Sequence, residues 1–493
     1  MFDVIGLHAR MAPDRLAARD LTLDLRWSYR ELDALVGRLA AEMQARGAQP
    51  GDRIAVLARN SVWLVALHYA CARAGTIFVP LNGRLVPSEL AALLDRAEPV
   101  LFLTDDENTP AIAAWQPALL RDFVAASERQ EPLREGHVDP ASASLILFTS
   151  GTSGRPKGVV LTELNLHHSA SNFATLTRVS RDSIFLCEAP MFHIMGLVTN
   201  VRAALMLGGA ILVSDGFEPG RTLARLSDPA LGITHYAGVP QMMESLRGQP
   251  AFDAAGLRNM TALVTGGAPH SPADIDAWLQ DGLPIVSGFG MSETGTVFGM
   301  PAELDIIRAK AGSAGVPTPW IETVIVDGEG VACAPGVAGE LKLRGPGITP
   351  GYWRDPVETA KAIDAAGWFS TGDIAIQDAD GFFWIVDRKK DMFISGGENI
   401  YPAEIEAHLA GYAGILECAL VGVPDARWGE VGHLAIVVQD DAEIGHEVVI
   451  AFLADRLARY KLPKHVSLVD RLPRTATGKL QKGLLRESLV GTA

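Results

Sequence analysis

Residues 144–159 read SLILFTSGTSGRPKGV, an apolar strand that runs directly into a loop rich in glycine and hydroxyl groups. Backbone N–H groups and hydroxyls in such a loop surround phosphate oxygens, and a lysine adds positive charge. The nucleotide P-loop pattern G-x-x-x-x-G-K-[ST] is not matched, because Lys157 follows Pro156 and precedes Gly158. The stretch therefore predicts a phosphate loop that is not of the Walker type, with a flexible surface turn as the alternative. The loop residues are Thr149, Ser150, Gly151, Thr152, Ser153, Gly154 and Lys157.

Strands and helices alternate on both sides of this loop. Ser28 and Glu31 form a capping-box pattern ahead of one helix. Helical patterns at 61–73 and 87–97 separate three apolar runs, an order typical of a parallel sheet. The apolar runs lie at 53–58, 76–81, 99–104, 144–150, 211–214, 261–267 and 284–290. We therefore predict an α/β fold whose large N-terminal domain has mostly parallel sheets flanked by helices.

The pattern changes beyond about residue 320. The turn sequences DGEG and DADG lie inside 323–332 and 375–386 and predict hairpins, and hence a β-rich lobe. From about 391 the chain shows a helix after Pro402, strands, a helix at 445–460 and a last strand, which together predict a small α+β domain. The predicted domains are 1–388 and a mobile 389–493.

Charge and composition exclude several classes of function. The 493 residues carry a net charge of -15, which repels nucleic acid. The cysteines Cys71, Cys187, Cys333 and Cys418 form no C-x-x-C pair, so we expect reduced core thiols rather than zinc ligands or disulfides. Asp3 and the absence of a following apolar region argue against a secretory signal, so we expect a cytoplasmic protein without a membrane span.

From this loop onward the chain resembles the adenylate-forming superfamily of acyl-CoA synthetases, aryl-CoA ligases, amino-acid adenylation domains and beetle luciferases. The matching segments run in order along nearly the whole chain. They are TSGTSGRPKG, APMFHIMGL (189–197), TGGAP (265–269), GFGMSETG (288–295), STGD (370–373), DRKKDMFISGGENIYPAEIE (387–406) and PRTATGK (473–479). The resemblance implies ATP, Mg²⁺ and coenzyme A as cofactor and substrates, beside a small carboxylic acid.

The resemblance also implies the nucleotide site. Glu293, a carboxylate in a glycine-bounded loop, suits the Mg²⁺ that accompanies ATP phosphates, and Thr149 is the second implied metal ligand. A helix-capping role is the alternative for Glu293, as a turn role is for Asp373, the implied ribose ligand. Ser292 stands where the family has threonine and keeps the hydroxyl. The other implied nucleotide residues are Gly267, Ala268, Phe289, Gly290, Met291, Ile385 and Arg388.

Lys479 is the implied catalytic lysine, which stabilises charge on the α-phosphate while the carboxylate attacks it. The implied hinge between the two domains is Lys390. His193 borders the substrate carboxylate by resemblance, although a histidine among apolar neighbours is by itself more typical of a core. The residues implied for coenzyme A are Gly396, Gly397, Trp428, Lys461 and Lys464.

The acid pocket implied by resemblance is apolar and lacks lysine and arginine. Its residues are His193, Met195, Leu197, Val198, Gly238, Val239, Met242, Gly267, Thr296 and Val297. A second substrate carboxylate would stay unpaired there, which predicts a monocarboxylic acid with an aliphatic or aromatic tail. The chain ends at Ala493 without a carrier domain, so we expect an AMP-forming acid–CoA ligase, monomeric or homodimeric. The alternative is an acyl-AMP ligase that loads a separate carrier protein.

Overall fold

The computed structural model describes residues 3–108, 114–134, 138–149, 156–268, 270–395, 398–425, 427–439, 444–454, 456–474 and 480–490. The chain divides into two compact units. The first unit consists of Met1–Thr323 and Leu343–Phe369. The second consists of Val324–Lys342 and Ser370–Ala493. The predicted boundary after residue 388 stays a prediction.

The strands are numbered along the chain. They are β1 Leu16–Asp20, β2 Leu25–Ser28, β3 Arg53–Leu57, β4 Ile77–Pro80, β5 Leu101–Thr104, β6 Ala118–Leu119, β7 Ala143–Thr149, β8 Lys157–Thr162, β9 Ile184–Cys187, β10 Ala210–Val213, β11 His235–Gly238, β12 Ala262–Thr265, β13 Ile285–Met291, β14 Gly295–Gly299, β15 Val316–Pro317, β16 Glu322–Val326, β17 Gly339–Arg344, β18 Gly351–Tyr352, β19 Phe369–Gln377, β20 Phe383–Arg388, β21 Phe393–Ser395, β22 Glu398–Ile400, β23 Ile415–Asp425, β24 Gly429–Val438 and β25 His465–Leu468.

The helices follow the same convention. They are α1 Val4–Met11, α2 Tyr29–Ala45, α3 Val62–Ala74, α4 Pro87–Ala97, α5 Leu120–Ser127, α6 Glu163–Leu176, α7 Ala203–Met206, α8 Pro219–Leu226, α9 Pro240–Arg247, α10 Pro272–Gln280, α11 Leu304–Ala309, α12 Pro356–Ala362, α13 Pro402–Leu409, α14 His446–Ala454 and α15 Lys482–Val490. A π-helix spans Met195–Arg202, and 3₁₀ helices span Ala254–Leu257 and Arg459–Lys461.

Two largely parallel sheets form the first unit. One has the order β15-β14-β13-β12-β11-β9-β10-β1-β2 and the other β18-β8-β7-β4-β3-β5-β6. Strands β3, β4 and β5 pair in parallel, as do β9, β10, β11, β12 and β13. The residues of β3, β4 and β12 are almost entirely buried because helices cover the faces of parallel sheets. The predicted α/β fold class is confirmed.

Short signals in the sequence set the helix ends. The side chain of Ser28 accepts a hydrogen bond from the Glu31 N–H, and the Glu31 carboxylate accepts one from the Ser28 N–H, so the predicted capping box at the start of α2 is confirmed. Helix α3 ends at Gly75, whose φ of 76° is left-handed and suits glycine.

The second unit combines hairpins with a small α+β fold. Most of the sheet β16-β17-β19-β20 belongs to it, and β19 and β20 form the hairpin predicted at DADG. Strands β22-β21-β24-β23 form a further sheet, which β25 joins in parallel on β24. Helix α13 starts at Pro402, as predicted.

Some predicted details are wrong. The helix expected over 445–460 spans only His446–Ala454, and a 3₁₀ turn at Arg459–Lys461 leads into Pro463, which cannot continue a helix. All four cysteines are free thiols, but only Cys71 and Cys187 are buried, while Cys333 and Cys418 are half-buried. Among the described residues, no helix is long and apolar enough to span a membrane.

A buried ion pair and its hydrogen bonds join four elements of the first unit. Arg202, at the end of the π-helix, donates hydrogen bonds to Glu163 at the start of α6, at 2.5 and 3.1 Å. Ser144 of β7 donates a further bond to Glu163, at 2.7 Å. Burial opposes ionisation of Glu163, yet Arg202 outweighs it and lowers the pKa of the carboxyl group. Arg202 also donates to His68 of α3, whose pKa burial lowers to about 3, so this ring is neutral.

We predict that Glu163→Gln strongly destabilises the protein. The substitution leaves Arg202 as an unpaired buried charge, which typically costs about 3–5 kcal/mol. Urea denaturation followed by tryptophan fluorescence measures the loss. Glu303→Gln breaks an ion pair with Arg178 whose side chains are 49% and 56% exposed, and serves as the control that leaves the midpoint nearly unchanged. Equal midpoints for the two variants would contradict the role of the buried pair.

Candidate active site

The two ends of the predicted phosphate loop meet as paired strands. Thr149 ends β7 and Lys157 begins β8, and the two residues lie opposite each other in an antiparallel pair. The Thr149 hydroxyl donates to the Lys157 carbonyl at 3.5 Å. Ser150, Gly151, Thr152, Ser153 and Gly154 lie outside the described residues. The strand pair therefore fixes where the loop starts and ends.

Lys157 lies between a carboxylate and an aromatic ring. Its ammonium forms an ion pair with Glu358 of α12 and lies 5.0 Å from the centre of the Tyr352 ring. Lys361 also bonds Glu358, at 2.6 Å. The hydrogen bond from Lys157, followed by that from Lys361, lowers the pKa of Glu358 to about 2. Glu358 is therefore a permanent anion that holds the lysine at the base of the loop.

Glu293 lies in the turn between β13 and β14, and its side chain accepts a hydrogen bond from the Tyr352 hydroxyl at 3.0 Å. The alternative of a helix-capping acid is wrong, because this turn joins two strands. The backbone N–H of Thr349 donates to the Glu293 carbonyl at 2.7 Å. Burial, and then the Glu293 charge, raise the pKa of Tyr352 well above its usual value, so the hydroxyl stays protonated and donates.

The hairpin around Glu293 carries the residues that the sequence proposes for the nucleotide base. Phe289 is half-buried, and its ring centre lies 5.9 Å from that of Phe298 on the facing strand. The pairing shifts register between Phe289 and Gly290, and a side chain at Gly290 would collide with the Gly295 carbonyl. Met291 and Ser292 follow at the turn, both half-buried.

The predicted acid pocket gathers where β11 and β12 end. If Gly266 carried a Cβ, that atom would lie 3.4 Å from the methyl carbon of Met195. A Cβ on Gly238 would lie 3.0 Å from the methyl carbon of Met242. A Cβ on Gly267 would lie 3.9 Å from the Val239 side chain. The backbone of these three glycines therefore lies next to methionine and valine side chains. Gly267 and Ala268 are exposed, Thr296 is half-buried, and three predicted pocket residues are fully buried, namely Leu197, Val198 and Val297.

Asn60 holds the segment that leads to His193. Its side-chain amide donates to the Ala189 carbonyl at 2.9 Å and to that of Glu188 at 3.4 Å, while its oxygen accepts from the Met191 N–H at 2.9 Å. His193, half-buried, donates its N–H to the Pro190 carbonyl at 3.1 Å. This segment is therefore fixed by a loop that follows β3 of the other sheet.

In the second unit, Asp373 and Arg388 face each other across the β19–β20 hairpin. The Arg388 Nε donates to Asp373 Oδ1 at 2.9 Å, and the Asp373 side chain is only 3% exposed. The alternative of a turn residue is wrong for Asp373, because it lies inside β19. Ile385, half-buried, pairs with Ala375 on the same hairpin. Lys390 lies in the turn after β20.

Two residues predicted for coenzyme A, Trp428 and Lys464, lie at or beside the turn between β23 and β24. Trp428 is 44% exposed, and the Arg427 guanidinium lies 4.8 Å from its ring centre. Lys464 pairs with Asp425, and Lys461 pairs with Glu404 at 2.6 Å. Lys479, Gly396 and Gly397 lie outside the described residues.

The donor set of the first unit fits a magnesium ion that is shared with phosphates. The described residues contain no cluster of three or more histidine, cysteine, aspartate or glutamate side chains able to hold a metal by themselves. Mg²⁺ is commonly held by one or two carboxylates together with substrate phosphates and water. Glu293, nearly buried at 9% exposure, supplies one such carboxylate.

Sequence reasoning missed several residues of this region. Tyr352, Glu358, Asn60 and Gly266 lie beside the predicted residues, and only Gly266 was inside a quoted motif. Tyr352, Glu358 and Asn60 lie far along the chain from the residues they contact, and only strand pairing and helix packing bring them to the site. No local pattern in the sequence marks them.

The chain is similar to known proteins along nearly its whole length. The family model described as AMP-binding enzyme matches residues 7–353, and its C-terminal domain model matches 404–479. A feruloyl-CoA synthase of an Amycolatopsis species is 40% identical over 97% of this chain and 96% of its own. An indoleacetate–CoA ligase of Aromatoleum aromaticum is 35% identical over 98% and 97%.

Among solved structures, the O-succinylbenzoate coenzyme A synthetase of Bacillus subtilis in complex with ATP and a magnesium ion is similar. It has a TM-score of 0.85 and 27% identity, and the match covers 99% of each chain. Two family models match in chain order, the first of them across Lys157 and Glu293, and the relatives align over nearly their full length. The chain therefore belongs to the AMP-binding enzymes of the adenylate-forming superfamily, in the CoA ligase branch.

Proposed function

We propose that this AMP-forming acid–CoA ligase activates an aromatic monocarboxylic acid as its acyl-adenylate and then transfers the acyl group to coenzyme A. In the first half-reaction a carboxylate oxygen attacks the α-phosphate of ATP and pyrophosphate leaves. In the second half-reaction the thiol sulfur attacks the acyl carbon, and AMP leaves. The observation that carries the proposal is the contact of Tyr352 with both Lys157 and Glu293, which brings the base of the phosphate loop beside a metal-binding carboxylate.

Each charged residue has a role in the adenylation step. Lys157 offsets the negative charge of the phosphates at the loop. Glu293 and Thr149 would hold Mg²⁺, which would supply positive charge against the phosphate oxygens. Asp373 accepts hydrogen bonds from the ribose hydroxyls, and Arg388, bonded to Asp373 at 2.9 Å, orients that carboxylate. Lys479 stabilises the charge that develops on the α-phosphate oxygens.

The thioester step uses the second unit and the His193 segment. His193 borders the acyl carboxylate and the path of the thiol. Trp428 stacks on the adenine of coenzyme A, while Lys461 and Lys464 meet its phosphates after leaving Glu404 and Asp425. Gly396 and Gly397 line the pantetheine path. Rotation of residues 389–493 about Lys390 converts the enzyme from the adenylation step to the thioester step. The proposed division into 1–388 and a mobile 389–493 follows from this hinge.

The acid pocket favours an uncharged, apolar tail. Met242, Met195 and Val239 lie against Gly238, Gly266 and Gly267, so the groups gathered there are apolar. Met195, opposite Gly266, is flexible and adapts to different ring substituents. The predicted pocket residues include no lysine or arginine, so a second carboxylate would lack a partner. The relatives named for feruloyl and indoleacetate thioesters, both aromatic, also support this choice.

Coenzyme A is favoured over a carrier protein as acceptor, because the relatives of higher identity are named as CoA ligases. We also propose a cytoplasmic location, which agrees with four cysteines that are all free. Whether the protein is a monomer or a homodimer stays a prediction.

Incubation with Mg-ATP, coenzyme A and a mixed pool of aromatic, aliphatic and dicarboxylic acids tests the proposal. We expect mass spectrometry to detect aromatic acyl-CoA together with AMP. Formation of acyl-AMP without a thioester would indicate that the acyl acceptor is a carrier protein and not coenzyme A. Aliphatic thioesters in excess would overturn the aromatic assignment, and release of ADP would overturn the reaction itself.

We predict that Lys479→Ala lowers the adenylation rate by about 10²–10³, because it removes one charged contact to the transition state. Affinity for ATP should change little, since the contact forms only during reaction. Pyrophosphate exchange measures the adenylation rate, and calorimetry measures ATP binding. Lys479→Arg, which keeps the charge, is the matched control and should retain more activity. Full adenylation by the alanine variant would remove Lys479 from the mechanism.

We predict that Asn60→Ala raises the KM for the acid about 5- to 30-fold and leaves the KM for ATP unchanged. The variant loses the hydrogen bonds that hold residues 188–191, whose loss is typically worth about 1–2 kcal/mol. Initial rates at varied acid and varied ATP separate the two constants. Asn82→Ala removes a side-chain bond to the Arg84 N–H and serves as the control. An equal rise in both constants would indicate a general structural defect instead.

A further inference from the structure

Tyr352 makes two different contacts with the proposed ATP site. Its hydroxyl donates to Glu293 Oε1 at 3.0 Å, and its ring lies under the Lys157 ammonium at 5.0 Å. Among the described residues, no other side chain bonds the Glu293 carboxylate. One oxygen of the proposed metal ligand is thus occupied by a neutral donor, and the second oxygen carries no such bond.

The position of Tyr352 is itself fixed from two directions. Strand β18 pairs with β8, so that Tyr352 lies opposite Val159, two residues after Lys157. The Tyr352 N–H donates to the hydroxyl of Thr359 on α12 at 2.9 Å. The same helix carries Glu358, which holds Lys157. Tyr352 is therefore a rigid link between the base of the phosphate loop and the Glu293 hairpin.

The hairpin turn has limited means of holding its own carboxylate. Gly295, directly beyond the turn, has a φ of 62°, and a side chain there would collide with Ser169 of α6. The backbone is therefore held by α6 and by Thr349, and these contacts do not involve the Glu293 side chain. A hydrogen bond to one carboxylate oxygen orients the side chain and defines the direction of the other oxygen.

We propose that Tyr352 is a positioning residue that orients Glu293 toward a divalent cation, so that the cation and the Lys157-bound phosphates share one rigid frame. This inference rests on the proposed function, in which Glu293 holds Mg²⁺. Tyr352 touches neither the acid nor the reacting atoms, and acts through the carboxylate.

The variant Tyr352→Phe isolates the hydroxyl, since it keeps the ring beside Lys157. We expect the Mg²⁺ concentration that gives half-maximal adenylation to rise about tenfold, the usual loss when a residue that orients a metal ligand is removed. The KM for the acid at saturating Mg²⁺ should not change, and excess Mg²⁺ should restore kcat. Calorimetric titration of ATP at several Mg²⁺ concentrations, without acid, gives a second readout that involves no turnover.

Tyr69→Phe is the matched control, because Tyr69 is a buried tyrosine of α3 and its hydroxyl has no hydrogen-bond partner among the described residues. It should leave the Mg²⁺ dependence unchanged. Glu293→Gln should shift that dependence further than Tyr352→Phe, and the double variant should resemble Glu293→Gln alone, because the hydroxyl acts only through the carboxylate.

The outcomes separate the inference from the proposed function. A normal Mg²⁺ dependence in Tyr352→Phe, beside a shifted one in Glu293→Gln, would overturn the positioning role and leave the function intact. A normal dependence in Glu293→Gln would overturn the metal role of Glu293 itself. Loss of kcat that excess Mg²⁺ does not restore, with an unchanged thermal midpoint, would also count against the inference.

Discussion

The pairing of Thr149 with Lys157 is the contact on which the described part of the phosphate site depends. It closes β7 against β8, so the loop between them must leave and return at one edge of the sheet. Pairing of β18 with β8 then brings Tyr352 beside Lys157, and α12, which follows β18, supplies Glu358 to the same ammonium. Strand pairing and the helix that follows it thus determine where two charged groups, Lys157 and Glu358, are placed, and the Tyr352 hydroxyl connects them to Glu293. Such a frame holds charge in place before ATP binds, which is how an enzyme avoids reorganisation during reaction.

A second constraint joins this frame to the acid pocket. Helix α6 begins directly after β8 with Glu163, and the buried bond from Arg202 fixes the end of the π-helix to it. The other end of the same π-helix carries Met195 against Gly266. π-Helical turns are uncommon and often occur at functional sites, and here the wider turn lies in the segment with the proposed pocket residues. Because the ion pair is buried and fixes the π-helix, its loss would lower the stability of the protein and also displace the pocket residues on that helix.

The two half-reactions make different demands on the two units. Within the second unit, Asp373 and Arg388 form a stable pair across a hairpin, which suits a constant contact to ribose. The lysines proposed for coenzyme A are instead held by Asp425 and Glu404 near the surface. These two pairs are half-buried: Glu404 and Asp425 are 32% and 12% exposed, whereas Asp373 is 3% exposed beside an Arg388 that is 43% exposed. A coenzyme A phosphate that met either lysine would replace one anionic partner with another.

The sequence by itself determined the fold class, the order of the elements and the family, because alternating apolar runs, the capping box at Ser28 and a series of glycine-rich motifs are local signals. It also selected Lys157, Glu293 and Asp373 as candidates, since their motifs are contiguous. Only the tertiary structure decided their partners. Tyr352 lies 59 residues from Glu293 in the chain, Glu358 lies 201 from Lys157, and Asn60 lies 131 from Met191. Such pairs arise from strand order and helix packing, which bring together residues that no local pattern connects.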